Sequence, residues 1–248
     1  MERLTYVAMN SMQLHAQNQR LIAAGLANQN TVGFKRDYGE ISSVYMLDDL
    51  GKDRVFPSRK EGAVDLEQGK IMPTDNPMDI AVEGMGFMVG QKDNGEMVLT
   101  RRGDLRIGAD RILRNGENLK IMGDAGPIVV PPFESMSASR DGSIIYKPVG
   151  ADSTAPPVAL SRLQLVNVPQ ANVIKGQDSH LRPKDGVIPP SDAKIEINNK
   201  GLESSNVNSI DAMVDMLNSS RAFEVSFRLI TTSRDMDSES AKLMRSQG

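Results

Sequence analysis

The chain has 248 residues, of which 39% are hydrophobic and 25% charged, with a formal net charge of −3. That length and balance suit one or two packed domains rather than a disordered chain, and the weakly acidic charge excludes a dedicated nucleic-acid binder, which needs a basic face to displace phosphate counterions. The absence of cysteine removes disulfides, thiolate chemistry and cysteine-bound zinc, and two histidines, His15 and His180, leave little for metal or acid–base sites.

The first element is helical. From Leu4 to about Ala27 there is no proline, and Leu4, Val7, Ala8, Met12, Leu14, Leu21, Ile22 and Leu26 recur at mixed spacings of three and four. That pattern predicts an amphipathic helix, interrupted by the polar Gln17-Asn18-Gln19. It should stop between Asn28 and Gly33, where Asn and Gly tolerate left-handed backbone.

Residues 35–73 mix glycine, proline and charge without a period and read as an extended connector. An all-β domain is expected over 74–197. Met78, Ile80 and Val82 alternate with Asp79, Ala81 and Glu83, the pattern of a half-buried strand. Asp93-Asn94-Gly95, Asn115-Gly116 and Asp141-Gly142 are hairpin turn signals, and apolar runs at Ile128-Val129-Val130, Ile144-Ile145-Tyr146 and Leu163 to Val168 supply further strands. All thirteen prolines fall between Pro57 and Pro190.

The C-terminal segment, 198–248, is again helical in pattern. Asn208 or Ser209 can cap a helix with Asp211 in its first turn. Met213, Met216, Ser220, Phe223, Phe227, Ile230, Arg234, Asp237, Ala241 and Met244 then alternate spacings of three and four, a heptad-like stripe. Only Arg234 and Asp237 break it, and no glycine or proline interrupts the run from Gly201 to Ser246.

The expected fold class is α+β: a discontinuous, coiled-coil-like two-helix domain made by both termini (1–34 and 198–248), the connector, and an inserted all-β domain. Two exposed apolar stripes seek partners. The simplest cover is each other and then neighbouring copies, with Leu4, Val7, Met12, Leu21, Met213, Leu217, Phe223, Phe227 and Ile230 as the seam. Arg221, Glu224, Arg228, Arg234 and Asp235 could form ion pairs between copies, although a solvated helix face explains them as well.

Three blocks carry a resemblance. Ala24-Gly25-Leu26-Ala27-Asn28-Gln29-Asn30-Thr31-Val32-Gly33-Phe34-Lys35 resembles the N-terminal signature of bacterial flagellar rod and hook proteins. Asp75 to Phe87, followed by Thr100-Arg101-Arg102-Gly103, resembles a middle block. Gly201-Leu202-Glu203-Ser204-Ser205-Asn206-Val207-Asn208, leading to Met213-Val214 and Ser220-Arg221-Ala222-Phe223-Glu224, resembles the C-terminal one. Met1-Glu2-Arg3-Leu4 and Met122 to Ile128 are most similar to the proximal-rod branch of the flagellar basal-body rod family, with the distal-rod branch next.

The resemblance implies a non-enzymatic axial protein that leaves through the flagellar type III export apparatus without a cleaved signal. It would polymerise in the periplasm with copies of itself and other rod proteins, including the distal rod protein. Its terminal helices would line a central channel and transmit torque, with the β domain outermost. Leu26, Ala27, Asn28, Asn30, Gly33 and Phe34 form the signature turn, and Glu203, Ser205, Asn206, Val207 and Asn208 the C-terminal signature. An ordinary helix stop and an ordinary cap account for most of these residues equally well, and Phe34 serves either to anchor the connector or as core. The chain departs from the family at Gly25, where Asn is common, and at Phe223, often Tyr. Gly25 costs about 1 kcal/mol against Ala in a helix.

No enzyme pattern competes. Neither histidine sits in a nucleophile motif, and Ser191-Asp192-Ala193-Lys194 lies beside Pro189-Pro190 rather than at a helix start. Gly51-Lys52-Asp53 and Gly69-Lys70-Ile71 fail the phosphate-loop pattern at its last residue. No catalytic, cofactor or metal residue is expected. No apolar run approaches the roughly 20 residues of a membrane span, and the first residues lack the apolar segment of a secretory signal. The remaining alternative is a periplasmic or surface binding module whose β domain takes glycan or peptidoglycan and whose helices oligomerise it.

Overall fold

The computed structural model of the protein describes residues 2–37, 39–46, 54–60, 64–150 and 156–246. Helix α1 runs Glu2–Ala27, 26 residues, and α2 runs Ser209–Ser246, 38 residues, with mixed α and β content as the patterns required. Asn208 caps α2: its Oδ1 accepts from Ile210 N–H at 3.1 Å and its Nδ2 donates to Asp211 Oδ2 at 2.7 Å. Between the helices lie β1 (Glu40–Met46), β2 (Arg54–Lys60), β3 (Ile71–Pro73), β4 (Ile80–Val82), β5 (Gly86–Gln91) and β6 (Met97–Thr100). Next come β7 (Arg106–Ile107), β8 (Leu113–Arg114), β9 (Lys120–Gly123), β10 (Gly126–Pro127), β11 (Phe133–Ala138) and β12 (Ser143–Pro148). The last are β13 (Val158–Arg162), β14 (Leu165–Asn167), β15 (Val173–Lys175), β16 (Leu181–Pro183), β17 (Ile197–Asn199) and β18 (Gly201–Glu203).

The chain forms two compact units. One contains α1, the β1–β2 hairpin and α2; the other contains 28–37 and everything from β3 to Val207. The stretch expected to be an extended connector is therefore divided between them. Its centre is an antiparallel hairpin in which Glu40 faces Lys60 and Met46 faces Arg54. In the segment before α2, β17 and β18 precede the helix, which starts at Ser209 directly after its capping Asn208, where the cap pattern placed it.

In the β unit, β15-β16-β6-β5-β9-β8-β7 form one antiparallel sheet, with β10 on β9 and β14 on β5. β11-β12-β13 form a second sheet, and β4–β17 and β3–β18 form two pairs. Asp93-Asn94-Gly95, Asn115-Gly116 and Asp141-Gly142 each join the strands of a hairpin: β5–β6, β8–β9 and β11–β12. Strand β5 shows why this unit is stable. Phe87 and Val89 point into one core with Leu99, Val166 and Leu66, while Met88 points into the other with Ile121, Ile144 and Leu165.

Two strand expectations change. Ile80, Ala81 and Val82 are all buried, because β17 and the Gly103 carbonyl hold β4 between layers instead of leaving one face wet. Ile128-Val129-Val130 forms no ladder: Ile128 and Val130 are core residues, but Val129 makes a single bridge to Ile112 and is exposed.

Beside the sheet edge, Arg182 on β16 donates from Nε to Glu96 Oε1 at 2.7 Å and from Nη2 to Asp178 Oδ2 at 2.6 Å, and Lys92 pairs with both carboxylates. The Arg182 hydrogen bonds hold Asp178 well below the usual carboxylate range and push Glu96 from 4.5 to about 2. A depressed carboxylate contributes stability that is complete above its unfolded pKa and is lost as pH falls through its folded pKa. Urea unfolding followed by circular dichroism should therefore find Arg182→Gln less stable than the parent at pH 6, with the gap closing from pH 4.5 down to about 2. A gap that widens on acidification would contradict this assignment.

Candidate functional site

The turn after α1 is built by its own polar residues. Thr31 N–H donates to the Asn28 carbonyl and Thr31 Oγ1 to Asn28 Oδ1, both at 3.1 Å. Gly33 then adopts φ +68°, and its N–H donates to the Glu203 carbonyl at 2.7 Å. A Cβ at Gly33 would lie 2.5 Å from the Arg101 carbonyl carbon, so only glycine lets the two backbones touch.

This approach delivers Lys35 to a buried carboxylate. Glu203 Oε1 accepts from Lys35 Nζ at 2.6 Å and from Gly69 N–H at 2.9 Å, and Glu203 Oε2 accepts from Arg101 Nη1 at 3.0 Å. All three charged side chains are essentially sealed from solvent. Lys35 also donates to the Glu67 carbonyl at 2.6 Å, and Arg101 donates to the Gly84 carbonyl while its guanidinium lies 5.1 Å from the Phe87 ring centre. Burial pushes the Lys35 ammonium below its usual pKa, and the Glu203 charge opposes that shift.

A second layer fastens the same segment. Asn206 Oδ1 accepts from Arg36 N–H at 2.8 Å, and Asn206 Nδ2 donates to the Asp65 carbonyl at 2.9 Å. Lys175 Nζ sits 3.9 Å from the Phe34 ring centre and donates to the Lys35 carbonyl at 2.8 Å and to Asp37 Oδ2 at 3.1 Å. The three signature blocks thus meet at one clasp, which ties the segment that follows α1 to the segment that precedes α2. Its chemistry is charge neutralisation and positioning: the carboxylate is fully engaged and sealed, with no route to a reacting group.

The signature residues divide by role. Asn28, Gly33, Phe34, Glu203 and Asn206 make the contacts above; the Ser205 hydroxyl accepts from Val207 N–H at 3.3 Å, and Asn208 caps α2. Ala27 and Asn30 are exposed, and Leu26 and Val207 are partly buried. Lys35 and Arg101, the two cations, lay in the recognised blocks without an assigned role. No local signal singles them out, since the same blocks also carry Arg102, Asp75, Asp79 and Glu83. His15 contributes its carbonyl to Ser219 at 3.2 Å, His180 lies 3.6 Å from Glu117, and no metal-binding cluster occurs among the described residues.

The seam residues fall differently within the helical unit. The buried line along α2 is Ala212, Ser219, Ser226 and Ser233, with Met216, Phe223 and Ile230 half-buried beside it. Ser219 Oγ donates to the His15 carbonyl, and Ser233 Oγ lies 3.0 Å from Thr5 Oγ1. Small side chains on the line permit close packing; Ser219 and Ser233 bond to α1, while Ser226 Oγ donates to the Ala222 carbonyl of its own helix at 2.9 Å. Met213, Leu217 and Phe227 are 54%, 60% and 54% exposed, and Val7 is exposed as well, while Met12 and Leu21 are half-buried and Ala8 and Gly25 are buried. The side chains of Leu4 and Met244 lie outside the described residues.

The clasp and the long C-terminal helix fall within or beside a family match. The family described as flagellar basal body rod FlgEFG protein C-terminal matches residues 199–243, from β17 through most of α2. The chain is 28% identical to the flagellar basal-body rod protein FlgF of Salmonella typhimurium over 252 aligned residues, covering 98% of this chain and 99% of that one. FlgF of Escherichia coli is also 28% identical, with 95% of each chain covered, and FlgG of Borreliella burgdorferi is 27% identical over 95% and 96%. The chain is thus similar to flagellar basal-body rod proteins over almost its whole length, these relatives bearing the names FlgF and FlgG. Rod-family proteins are structural and non-enzymatic, in agreement with a site made for positioning. None of the described helices is long and apolar enough to cross a membrane.

Proposed function

We propose that the chain is an axial subunit of the proximal rod, packing through its terminal helices onto copies of itself and onto other rod proteins, including the distal rod protein. In this reading α1 and α2 form a discontinuous, antiparallel, coiled-coil-like domain, supported by the Thr5–Ser233 and His15–Ser219 contacts. The domain divisions drawn from the sequence serve the same reading, with the clasp holding the two helix ends in register. The packed helices transmit torque and line the export channel, and the subunit reaches the periplasm through the type III export apparatus without a cleaved signal. Full-length similarity to rod proteins does not favour a glycan-binding module.

The observation that carries the proposal is the outer face of α2. Ile210, Met213, Val214, Leu217, Val225, Phe227, Leu229 and Met236 are all exposed, although the helix buries a line of serines. A monomer gains nothing from that arrangement, and a neighbouring copy gains a large apolar surface. Burying a Phe side chain is worth about 1.5–3 kcal/mol, so Phe227→Ala should raise the concentration needed for assembly roughly 10- to 100-fold. The melting of the β unit should stay unchanged. Sedimentation and electron microscopy of rod-like stacks test this, and incorporation of the variant at the parental concentration would refute the seam.

A further inference from the structure

We propose that Met213 is an oxidation switch on assembly: peroxide converts its thioether to the sulfoxide in the free subunit, and the oxidised helix face no longer packs. This switch rests on the assembly role proposed for the outer face of α2 and sets when that face can be covered. The chain has fifteen methionines and neither cysteine nor tryptophan, so thioethers are its most readily oxidised side chains. Access divides them. Met88, Met122 and Met136 are buried in the β unit, whereas Met9, Met72, Met85, Met213 and Met236 are the exposed methionines among the described residues.

Exposure alone does not single out Met213; its neighbours do. On a helix, the positions three and four residues away share a side chain's surface. For Met213 these are Ser209, Ile210, Met216 and Leu217, so it stands inside an apolar patch over the first turns of α2, with Ile210 and Leu217 exposed beside it. The same positions around Met236 are Thr232, Ser233, Glu239 and Ser240, all polar. Met213 and Met236 are 54% and 53% exposed, so an oxidant in water meets both equally. Only Met213 belongs to a surface that gains by leaving water.

The chemistry needs no help from other side chains. The Met213 sulfur lone pair attacks one peroxide oxygen, the S–O bond forms as the O–O bond breaks, and the leaving hydroxide takes the proton of the transferred oxygen to become water. Sulfur loses two electrons and the peroxide gains them. The product replaces a flexible apolar group by a strongly polar one, which must shed its hydrogen-bonded water before a neighbour can cover it. Once Met213 is covered, peroxide has no path to the sulfur, so the switch acts on free subunits and spares assembled ones.

Full-length protein is treated with hydrogen peroxide, quenched with catalase, mapped for sulfoxide by mass spectrometry and sedimented for rod-like stacks, each chain being compared with its own untreated sample. Peroxide should oxidise Met213 and Met236 at similar rates in the free parent and raise its assembly concentration at least about tenfold, the effect of removing one buried methionine from the seam. Methionine sulfoxide reductases with dithiothreitol should reverse the rise. Met213→Leu should show no such rise and Met236→Leu the full one, while Met213→Gln, polar without peroxide, should start at the raised value. A Met213→Leu chain as sensitive as the parent, or a parent indifferent to peroxide with Met213 fully converted, would overturn the switch alone, provided that Phe227→Ala still impairs assembly. Should Phe227→Ala have no effect either, the seam itself is refuted and the switch falls with it.

Discussion

Glu203→Ala is expected to destabilise the β unit by about 3–5 kcal/mol, because removing one partner of a buried ion pair strands the remaining charge. The stranded charges here are two, Lys35 and Arg101, and Gly69 N–H also loses its acceptor. Glu203→Gln keeps the shape and one acceptor but restores no negative charge, so its loss should be comparable. Lys35→Met should cost far less, about 1 kcal/mol, since Glu203 keeps Arg101 and Gly69 and the cluster sheds its excess cation. The asymmetry follows from counting charges around one carboxylate and does not depend on any particular pair energy. Urea unfolding of the full chain, with hydrogen exchange resolving residues 28–37 and 201–207, measures both effects. Equal losses for the two variants would show that Glu203 is not the hub.

Helix positions were legible because their signals are local. The three-and-four spacing across α1 and the Asn208 cap before α2 act within a few residues of the groups they satisfy. Hairpin turns were legible for the same reason, as at Gly95 and Gly142, where φ is +88° and +85°. The buried line of α2 was not. Counting apolar residues leads to Met213 and Phe227, whereas the packed positions are Ala212 and Ser226, each one step earlier along the helix. A serine that bonds to a neighbouring helix is indistinguishable, in sequence, from one that faces water.

The clasp was half legible. Its blocks were recognised as motifs, but the Lys35–Glu203 bond joins residues 168 positions apart, and no local pattern states that a lysine and a glutamate share a dry pocket. The β1–β2 hairpin lay hidden for a different reason: Pro57 and scattered charge mask its alternation. Long-range ion pairing within the β unit and an irregular hairpin within the helical unit are thus what the sequence withholds.

Gly33→Ala is the second large effect, and its size comes from two separable causes. The left-handed backbone at φ +68° costs an alanine roughly 1–2 kcal/mol. Gly95, at φ +88° with nothing near its would-be Cβ, carries only that cost, so Gly95→Ala isolates it. At Gly33 the added methyl also meets Arg101 C at 2.5 Å and Arg102 N at 2.6 Å. Those are backbone atoms of the strand end that carries Arg101, so relief requires the turn to lift away. The Gly33 N–H to Glu203 bond at 2.7 Å then opens, and Lys35 is drawn off its carboxylate. Gly33→Ala should therefore lose at least about 2 kcal/mol more than Gly95→Ala, the sum of a broken buried hydrogen bond and a weakened ion pair. Hydrogen exchange should rise at Lys35, Arg36 and Asn206 in the first variant and remain parental there in the second. Matching losses in the two alanine variants would mean that contact with Arg101 contributes nothing and that backbone conformation alone explains the glycine.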